Sequence, residues 1–163
     1  MSSRPRVHLL CGLNGAGKTT YARRLAETLP GVRFSLDEWM LRSYPLLCFD
    51  DPDYPPLAEA CKELIWDTAC QVLRCGVDVI LDWNQWSRER RSTWRTRAEG
   101  AGSRPVLHHL RVPVEVAVAR GLARPARGPD TSHRLTADEM RHLAAIFEHP
   151  TADEGIEIIE ILA

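Results

Sequence analysis

The chain has 163 residues, with 21 lysines and arginines against 22 aspartates and glutamates, and a formal net charge of −1. This length suits one domain with a full core, and the balanced charge gives no overall basic field that would attract nucleic acid. No stretch approaches the roughly 20 apolar residues of a membrane-spanning helix, and no apolar run follows the first charges. We therefore expect one cytoplasmic domain over residues 1–163 with no membrane contact.

The first predicted unit is a strand, a glycine-rich turn and a helix. The strand covers 7–11, and residues 19–29 carry apolar side chains at helical spacing until Pro30-Gly31. Between them, Gly-Leu-Asn-Gly-Ala-Gly-Lys-Thr fits the phosphate-binding P-loop pattern G-x-x-x-x-G-K-[ST]. Glycines let the backbone N–H groups surround a polyphosphate without obstruction by a Cβ. The predicted nucleotide site comprises Gly12, Leu13, Asn14, Gly15, Ala16, Gly17, Lys18, Thr19 and Thr20.

Two side chains of this motif have a defined chemistry. Lys18 is expected to reach the β- and γ-phosphates, and the hydroxyl of Thr19 is expected to ligate Mg²⁺. The helix that begins here adds the positive end of its dipole to the phosphate site. A nucleotide and Mg²⁺ are therefore expected to bind at this turn.

Strand and helix patterns continue to alternate along the chain. Further strands are predicted at 32–35, 77–82, 104–112 and 157–162, and further helices at 36–42, 57–75, 87–100, 113–123 and 136–149. Segments rich in proline, aspartate or glycine at 43–56 and 124–134 are predicted to be irregular. This alternation predicts a parallel sheet with helices on both faces and a ligand crevice at the carboxyl ends of its strands.

Two carboxylates follow predicted strands at that crevice. Asp82 ends the apolar strand 77–82, where a P-loop protein needs a carboxylate that helps to hold Mg²⁺, usually through water. The alternative is an acidic residue that caps the next loop. Asp37 follows the second strand and could orient and deprotonate a hydroxyl acceptor. An N-cap role for Asp37 is a compatible alternative.

Arginines are concentrated around the irregular segment 124–134. Arg120 and Arg124 are four residues apart and project from one helix face, and Arg127 and Arg134 follow. A lid that places guanidinium groups over the transferring phosphoryl group offsets the charge that develops on its oxygens. We predict such contacts for Arg120 and Arg124, with a catalytic role for Arg124. A solvated basic face is the alternative.

Taken in order, these blocks resemble the small P-loop kinases. The matching blocks are Gly-Leu-Asn-Gly-Ala-Gly-Lys-Thr-Thr at 12–20, Ser-Leu-Asp-Glu-Trp at 35–39, Val-Ile-Leu-Asp-Trp-Asn-Gln-Trp-Ser-Arg-Glu-Arg-Arg at 79–91, and Val-Pro at 112–113 before the two arginines. This group of AAA-type ATP-binding kinases includes the kinase domain of polynucleotide kinase, the zeta toxins and chloramphenicol phosphotransferase. The resemblance spans Val7 to about Pro150. It implies a P-loop NTPase α/β fold with five parallel strands in the order 2-3-1-4-5, an arginine-bearing lid, ATP with Mg²⁺ as donor and a hydroxyl acceptor.

The resemblance also implies roles for single residues. Asp37 matches the aspartate that activates the acceptor, Asp82 the acidic residue beside the P-loop, and Arg124 the lid arginine. Phe147 and Pro150 lie where relatives build a wall beside the adenine.

The acceptor site is expected to include aromatic and basic residues. Arg88 and Arg91 lie at the start of the predicted helix 87–100, where members of the family carry basic residues that contact acceptor or phosphate. Trp83 and Trp86 replace the small polar residues of polynucleotide kinases, which predicts a differently shaped pocket. These aromatic side chains could stack on the acceptor or pack in the core, and the sequence leaves both alternatives open. The predicted acceptor residues are Asp37, Trp39, Trp83, Asn84, Trp86, Arg88 and Arg91.

Three functions remain open from the sequence. The first is phosphorylation of a small hydroxylated molecule, such as an antibiotic or a nucleoside- or sugar-like compound. Asp50, Asp51 and Asp53 favour this function because an acidic rim repels a polyanion. The second is phosphorylation of a polynucleotide 5′-hydroxyl, and the third is a regulatory ATPase that acts on a protein partner. No obligate protein partner is evident from the sequence. By the resemblance to P-loop proteins, an N-K-x-D segment after the fourth strand would read guanine, and since this chain has none there, the resemblance implies ATP as the donor.

Overall fold

The computed structural model of the protein describes residues 4–123 and 135–163. Its strands are β1 (Arg6–Gly12), β2 (Gly31–Ser35), β3 (Asp78–Asn84), β4 (Arg104–Arg111) and β5 (Glu157–Leu162). Its helices are α1 (Lys18–Thr28), α2 (Leu36–Ser43), α3 (Tyr54–Arg74), α4 (Arg88–Gly100), α5 (Val114–Leu122) and α6 (Ala137–Ala145), with a 3₁₀ turn at Ala152–Glu154. No helix in these two ranges is long and apolar enough to cross a membrane.

The five strands form one parallel sheet in the order β2-β3-β1-β4-β5, which confirms the predicted P-loop NTPase topology. Because the strands are parallel, their carboxyl ends meet at one edge of the sheet. The P-loop follows β1 at this edge, α2 follows β2, and Asp82 lies near the end of β3. The pairing of Ser35 with Asp82 brings the start of α2 beside that carboxylate.

Side chains alternate between the two faces of β1, and each face packs against different helices. Val7, Leu9 and Cys11 are buried in a large core together with residues of α3 and α4. Leu10 packs on the opposite face, in a smaller cluster that includes Ala22 of α1. Helices therefore cover both faces of the sheet, as the alternating sequence pattern predicts.

Most helix ends lie within one residue of the predicted bounds, but the start of α3 and the end of α6 differ by three and four residues. α3 begins at Tyr54 rather than at residue 57, because its two prolines lie in the first turn, where a missing N–H breaks no helical hydrogen bond. α6 ends at Ala145 rather than at residue 149, and the Glu148 N–H instead donates to the carbonyl of Trp86. Pro113 is the N-cap of α5 and not its first residue. The predicted irregular segment 124–134 lies outside the described residues.

Candidate nucleotide and phosphoryl-transfer site

Glycines shape the turn between β1 and α1. Gly15 and Gly17 have left-handed φ values of 87° and 88°, which residues with a Cβ rarely adopt. A Cβ on Gly12 would lie 2.8 Å from the carbonyl oxygen of Leu110. Gly17 is the N-cap of α1 and brings no side chain over the first helical turn. The free N–H groups of that turn are therefore available to an anion.

Lys18 is the first residue of α1 and folds back over the turn. Its Nζ donates hydrogen bonds to the carbonyl oxygens of Gly12 at 2.9 Å and Leu13 at 2.8 Å. The ammonium group therefore lies beside the backbone of the phosphate-binding turn, where the P-loop motif requires a cation.

Thr19 at the start of α1 contacts Asp82 of β3, the strand that lies beside β1 in the sheet. The Thr19 hydroxyl donates to Asp82 Oδ1 at 3.4 Å. Mg²⁺ prefers oxygen ligands and is commonly bound by one or two carboxylates together with phosphate oxygens and water. In the described part of the chain, no group of three or more His, Cys, Asp or Glu side chains could hold a metal ion by itself. The Thr19–Asp82 pair fits a Mg²⁺ ion that arrives with a nucleotide.

Arg33 is a member of this site that the sequence patterns did not indicate. Its Nε donates to Asp82 Oδ2 at 2.9 Å, and its Nη2 lies 2.7 Å from the same oxygen. Nη2 also donates to Glu38 Oε1 at 2.8 Å, and Arg23 of α1 donates to that oxygen at 3.0 Å. The available signal was a charged residue within a short strand beside a predicted metal carboxylate, which is too general to identify the contact.

The charged groups in this cluster shift one another's pKa values. Burial raises the pKa of Asp82, although the Arg33 guanidinium favours its carboxylate form. Burial alone would lower the pKa of Arg33, but Glu38 and Asp82 raise it. The hydrogen bond from Arg33 lowers the pKa of Glu38. Arg33 and Glu38 are therefore held in their charged forms beside Asp82.

Asp37 lies in the first turn of α2. The N-cap of this helix is Ser35, whose hydroxyl accepts from the Glu38 N–H, so the alternative of Asp37 as N-cap is wrong. Asp37 is half-buried, and its charge acts on Tyr54 at the start of α3. Burial, with the charge of Asp37, raises the pKa of Tyr54 to about 12, so this phenol remains protonated. In space, Asp37 therefore lies close both to the end of β2 and to the start of α3.

The tryptophan of α2, the tryptophan of β3 and the one that follows β3 are at least partly core residues. Trp83 is buried and contacts Trp94 edge to face at a centroid distance of 5.1 Å. Trp86 packs against the main core and has the Arg90 guanidinium 5.6 Å from its ring centroid. Trp39 is half-buried against Phe34, and with Glu38, Arg42 and Ser43 it lines a cavity on α2. Core packing accounts for Trp83, whereas Trp39 and Trp86 retain exposed surface.

Gln85 was not among the predicted site residues. It is completely buried, and neither polar atom of its amide group has a partner among the described residues. The same holds for Asn84 Oδ1 and for Trp83 Nε1. The Gln85 backbone N–H donates to the carbonyl of Leu10, which leads into the P-loop. Unpaired buried polar atoms are uncommon and are often found at functional sites.

The two predicted acceptor arginines of α4 are occupied by the carboxyl-terminal segment. Arg91 is 1% exposed and donates to both carboxylate oxygens of Glu154 at 2.7 Å. Its Nη1 also donates to the carbonyls of Gln85 and Glu148. Arg88 pairs with Asp153 at the surface. This placement differs from the expected contacts, since the guanidinium of Arg91 is committed to protein acceptors.

The remaining predicted residues lie in several places. Phe147 is buried in the main core and stacks on His109, and its predicted place beside the adenine stays a prediction. Pro150 is half-buried, and Arg120 is exposed in the last turn of α5. Arg124, with Arg127 and Arg134, lies outside the described residues, so its catalytic role stays a prediction.

The base of the predicted lid contacts the P-loop directly. Gly15 lies so close to α5 that a Cβ on it would collide with the carbonyl oxygen of Ala117. One turn further along α5, Gly121 lies against the side chain of Met140 on α6. α5 therefore connects the phosphate-binding turn to α6.

Solved structures share this fold. One chain of the Pnkp1/Rnl/Hen1 RNA repair complex matches with a TM-score of 0.73 and 20% identity, covering 90% of this chain and 45% of that chain. This protein thus spans less than half the length of that relative. Kti12 from Chaetomium thermophilum, solved with ADP-AlF3, matches with a TM-score of 0.66 and 20% identity, covering 97% and 89% of the two chains. A gluconokinase from Sinorhizobium meliloti 1021 matches with a TM-score of 0.60 and 17% identity, covering 96% and 83%.

No curated protein sequence matches this chain. A family model described as the AAA domain matches residues 7–150, which is most of the sequence. The P-loop geometry and the strand order agree with that match. The chain therefore belongs to the AAA domain family and has the fold of the small P-loop kinases.

Proposed function

We propose that the protein transfers the γ-phosphate of ATP to a hydroxyl group of a small molecule. The observation that carries this proposal is the contact of Thr19 with Asp82 at the sheet edge where α2 carries Asp37 in its first turn. A phosphate-binding turn, a metal carboxylate and a half-buried carboxylate on one edge are the parts that phosphoryl transfer requires.

In this mechanism the P-loop N–H groups and Lys18 bind the β- and γ-phosphates. Thr19 and Asp82 would hold Mg²⁺, which would offset negative charge on the phosphate oxygens. Asp37 orients the acceptor hydroxyl and takes its proton. The hydroxyl oxygen forms a bond to the γ-phosphorus, the bond from that phosphorus to the β–γ bridging oxygen breaks, and ADP leaves. Arg120 and Arg124 would contact the transferring group from the lid.

The surface near α2 supports a neutral or cationic acceptor. Asp50, Asp51 and Asp53 follow α2 and are at least partly exposed, as is Tyr44. A negative rim disfavours a polyanion, and aromatic side chains can stack on a sugar or heterocycle. A polynucleotide 5′-hydroxyl is the second candidate, supported by the likeness to a chain of an RNA repair complex.

The test is ATP turnover with Mg²⁺ in the presence of hydroxylated small molecules or a 5′-hydroxyl oligonucleotide. We expect ADP release that depends on one acceptor class and falls by about 100-fold or more in Asp37→Asn, because a general base contributes at least this factor. Asp67→Asn is the matched control, since Asp67 is an exposed carboxylate on α3. Lys18→Met should instead abolish nucleotide binding, measured by calorimetry.

Two results would contradict the proposal. Turnover that is indifferent to every acceptor and unchanged in Asp37→Asn would favour the regulatory ATPase that the sequence left open. Salt-sensitive phosphorylation of the oligonucleotide alone would favour the polynucleotide acceptor.

A further inference from the structure

Arg33 bridges two carboxylates that belong to different parts of the site. One guanidinium contacts Asp82 on β3 through Nε and Nη2 and contacts Glu38 on α2 through Nη2. The Arg33 side chain is 13% exposed and the Asp82 side chain is 4% exposed, so the pair lies largely out of water. Glu38 follows Asp37 in the first turn of α2. Arg33 therefore joins the metal side of the site to the helix that carries the proposed base.

The contacts divide the two oxygens of Asp82. Oδ2 accepts a hydrogen bond from Arg33 Nε at 2.9 Å and forms an ion pair with Arg33 Nη2 at 2.7 Å, whereas Oδ1 accepts from the Thr19 hydroxyl at 3.4 Å. A planar guanidinium whose Nε donates to Asp82 while its Nη2 donates to Glu38 is held in one orientation, and it restricts the rotation of the Asp82 carboxylate. Oδ1 is consequently presented together with Thr19, which is the arrangement that a shared Mg²⁺ ion needs.

We propose that Arg33 is a positioning residue that orients Asp82 for Mg²⁺ and, through Glu38, holds the start of α2 against the end of β3. The inference rests on the proposed function for its effect on phosphoryl transfer, but its effect on metal binding does not require an acceptor. Outer residues that hydrogen-bond metal-ligating carboxylates commonly change metal affinity by 10- to 100-fold.

Electrostatics and orientation make opposite predictions for Arg33→Met. Removing the Arg33 cation raises the pKa of Asp82 further, so the comparison is made at a pH where Asp82 is ionised in the variant. There the surroundings are more negative with Glu38 left in place, so charge alone would strengthen binding of a divalent ion. Loss of orientation would weaken it, because Asp82 could then rotate away from Thr19. The sign of the change therefore separates a positioning role from a purely electrostatic one.

The experiment measures the affinity of Mn²⁺, as a paramagnetic substitute for Mg²⁺, for the protein–ADP complex by electron paramagnetic resonance. We expect Arg33→Met to weaken Mn²⁺ binding 10- to 100-fold while ADP affinity without metal changes less than about threefold. Arg23→Met is the matched control, because Arg23 contacts the same Glu38 oxygen, and its Mn²⁺ affinity should remain near that of the wild type. Unchanged or tighter Mn²⁺ binding by folded Arg33→Met overturns the proposal.

Arg33→Lys keeps the charge and serves if Arg33→Met does not fold. A lysine cannot reproduce the planar guanidinium, whose Nε and Nη2 donate to two different carboxylates, so we expect weakened Mn²⁺ binding here as well. Full wild-type affinity in Arg33→Lys would overturn the positioning role.

Glu38→Gln should lower kcat and leave Mn²⁺ affinity unchanged, since it loosens only the α2 end of the bridge. Wild-type turnover with an intact Mn²⁺ affinity in Arg33→Met would sink this inference and leave the proposed function standing.

Discussion

Arg88 and Arg91 lie in the first turn of the same helix and illustrate how burial decides the value of an ion pair. The side chains of Arg91 and Glu154 are 1% and 4% exposed, whereas those of Arg88 and Asp153 are 52% and 69% exposed. A buried charge that loses its partner remains unsolvated, but an exposed charge returns to water. Arg91 therefore stabilises the fold by holding the segment before β5 against α4.

We predict that Arg91→Met lowers the free energy of unfolding by about 3–5 kcal/mol, because Glu154 is left buried without its cation. Arg88→Met should have a far smaller effect, since both members of that pair are exposed. Urea unfolding followed by circular dichroism measures both. Equal effects of the two substitutions would contradict the structural role assigned to Arg91.

The sequence could not separate these two arginines, and the reason is general to contacts between distant residues. Glu154 is 63 positions from Arg91, and nothing in the local pattern of either segment indicates the other. The same applies to Arg33 and Asp82, which are 49 positions apart. Residue types in a motif predict chemistry at one end of a contact, whereas the partner depends on strand order and register.

At the scale of elements, local signals predicted the ends of helices where a cap determines them. Ser87 and Thr136, the first residues of the predicted helices 87–100 and 136–149, are the N-caps of α4 and α6, and Gly76 follows α3 with a left-handed φ of 77°. The end of α6 was missed because it depends on the distant carbonyl of Trp86. The P-loop and both of its flanking elements were predictable because the motif fixes its own context.

The contact between the P-loop and α5 gives a prediction for two glycines with the same backbone conformation. Gly15→Ala introduces left-handed strain of about 1–2 kcal/mol and a collision with the backbone carbonyl of Ala117, which no side-chain change can relieve. Gly17→Ala introduces the same strain, but nothing lies within 4 Å of its Cβ. We expect a much lower melting temperature and a greater loss of ADP affinity in Gly15→Ala. Identical melting temperatures would show that α5 does not press on the turn.

At the scale of the whole molecule, a chain of polar groups runs through the core beneath α1. Tyr21 Oη lies 2.8 Å from His108 Nδ1, His108 Nε2 lies 2.9 Å from His8 Nδ1, and His8 Nε2 lies 3.4 Å from Asp78 Oδ2. The Asp78 carboxylate accepts hydrogen bonds, so the proton of His8 lies on Nε2 and His8 Nδ1 is an acceptor. His108 then donates through Nε2 and accepts from Tyr21. Both imidazoles are satisfied in their neutral forms.

The row of hydrogen-bonded side chains from Tyr21 to Asp78 makes the stability of the protein depend on pH. Burial, followed by the nearby His8, lowers the pKa of His108 from 6.5 to about 4. Between these values the unfolded chain binds a proton that the folded protein does not, so stability falls as the pH falls. The shift corresponds to about 3 kcal/mol. We expect the free energy of unfolding to decrease from pH 6.5 to pH 4 in urea titrations.

His108→Gln keeps hydrogen-bonding capacity at this position without a titrating group and should reduce that slope. A residual slope is expected from His8 and His109, because burial also lowers their pKa values. An unchanged slope in His108→Gln would mean that other groups are responsible for the pH dependence.

The hydrogen bonds of Lys18 to Gly12 and Leu13 have a consequence for the kinetics of nucleotide binding. Both acceptors are backbone carbonyls of the phosphate-binding turn, so the turn holds its shape before a nucleotide arrives. A site formed in advance loses little conformational entropy when it is filled. Association should therefore proceed at the rate of ordinary diffusional docking, and differences in affinity between nucleotides should arise in how slowly each one leaves.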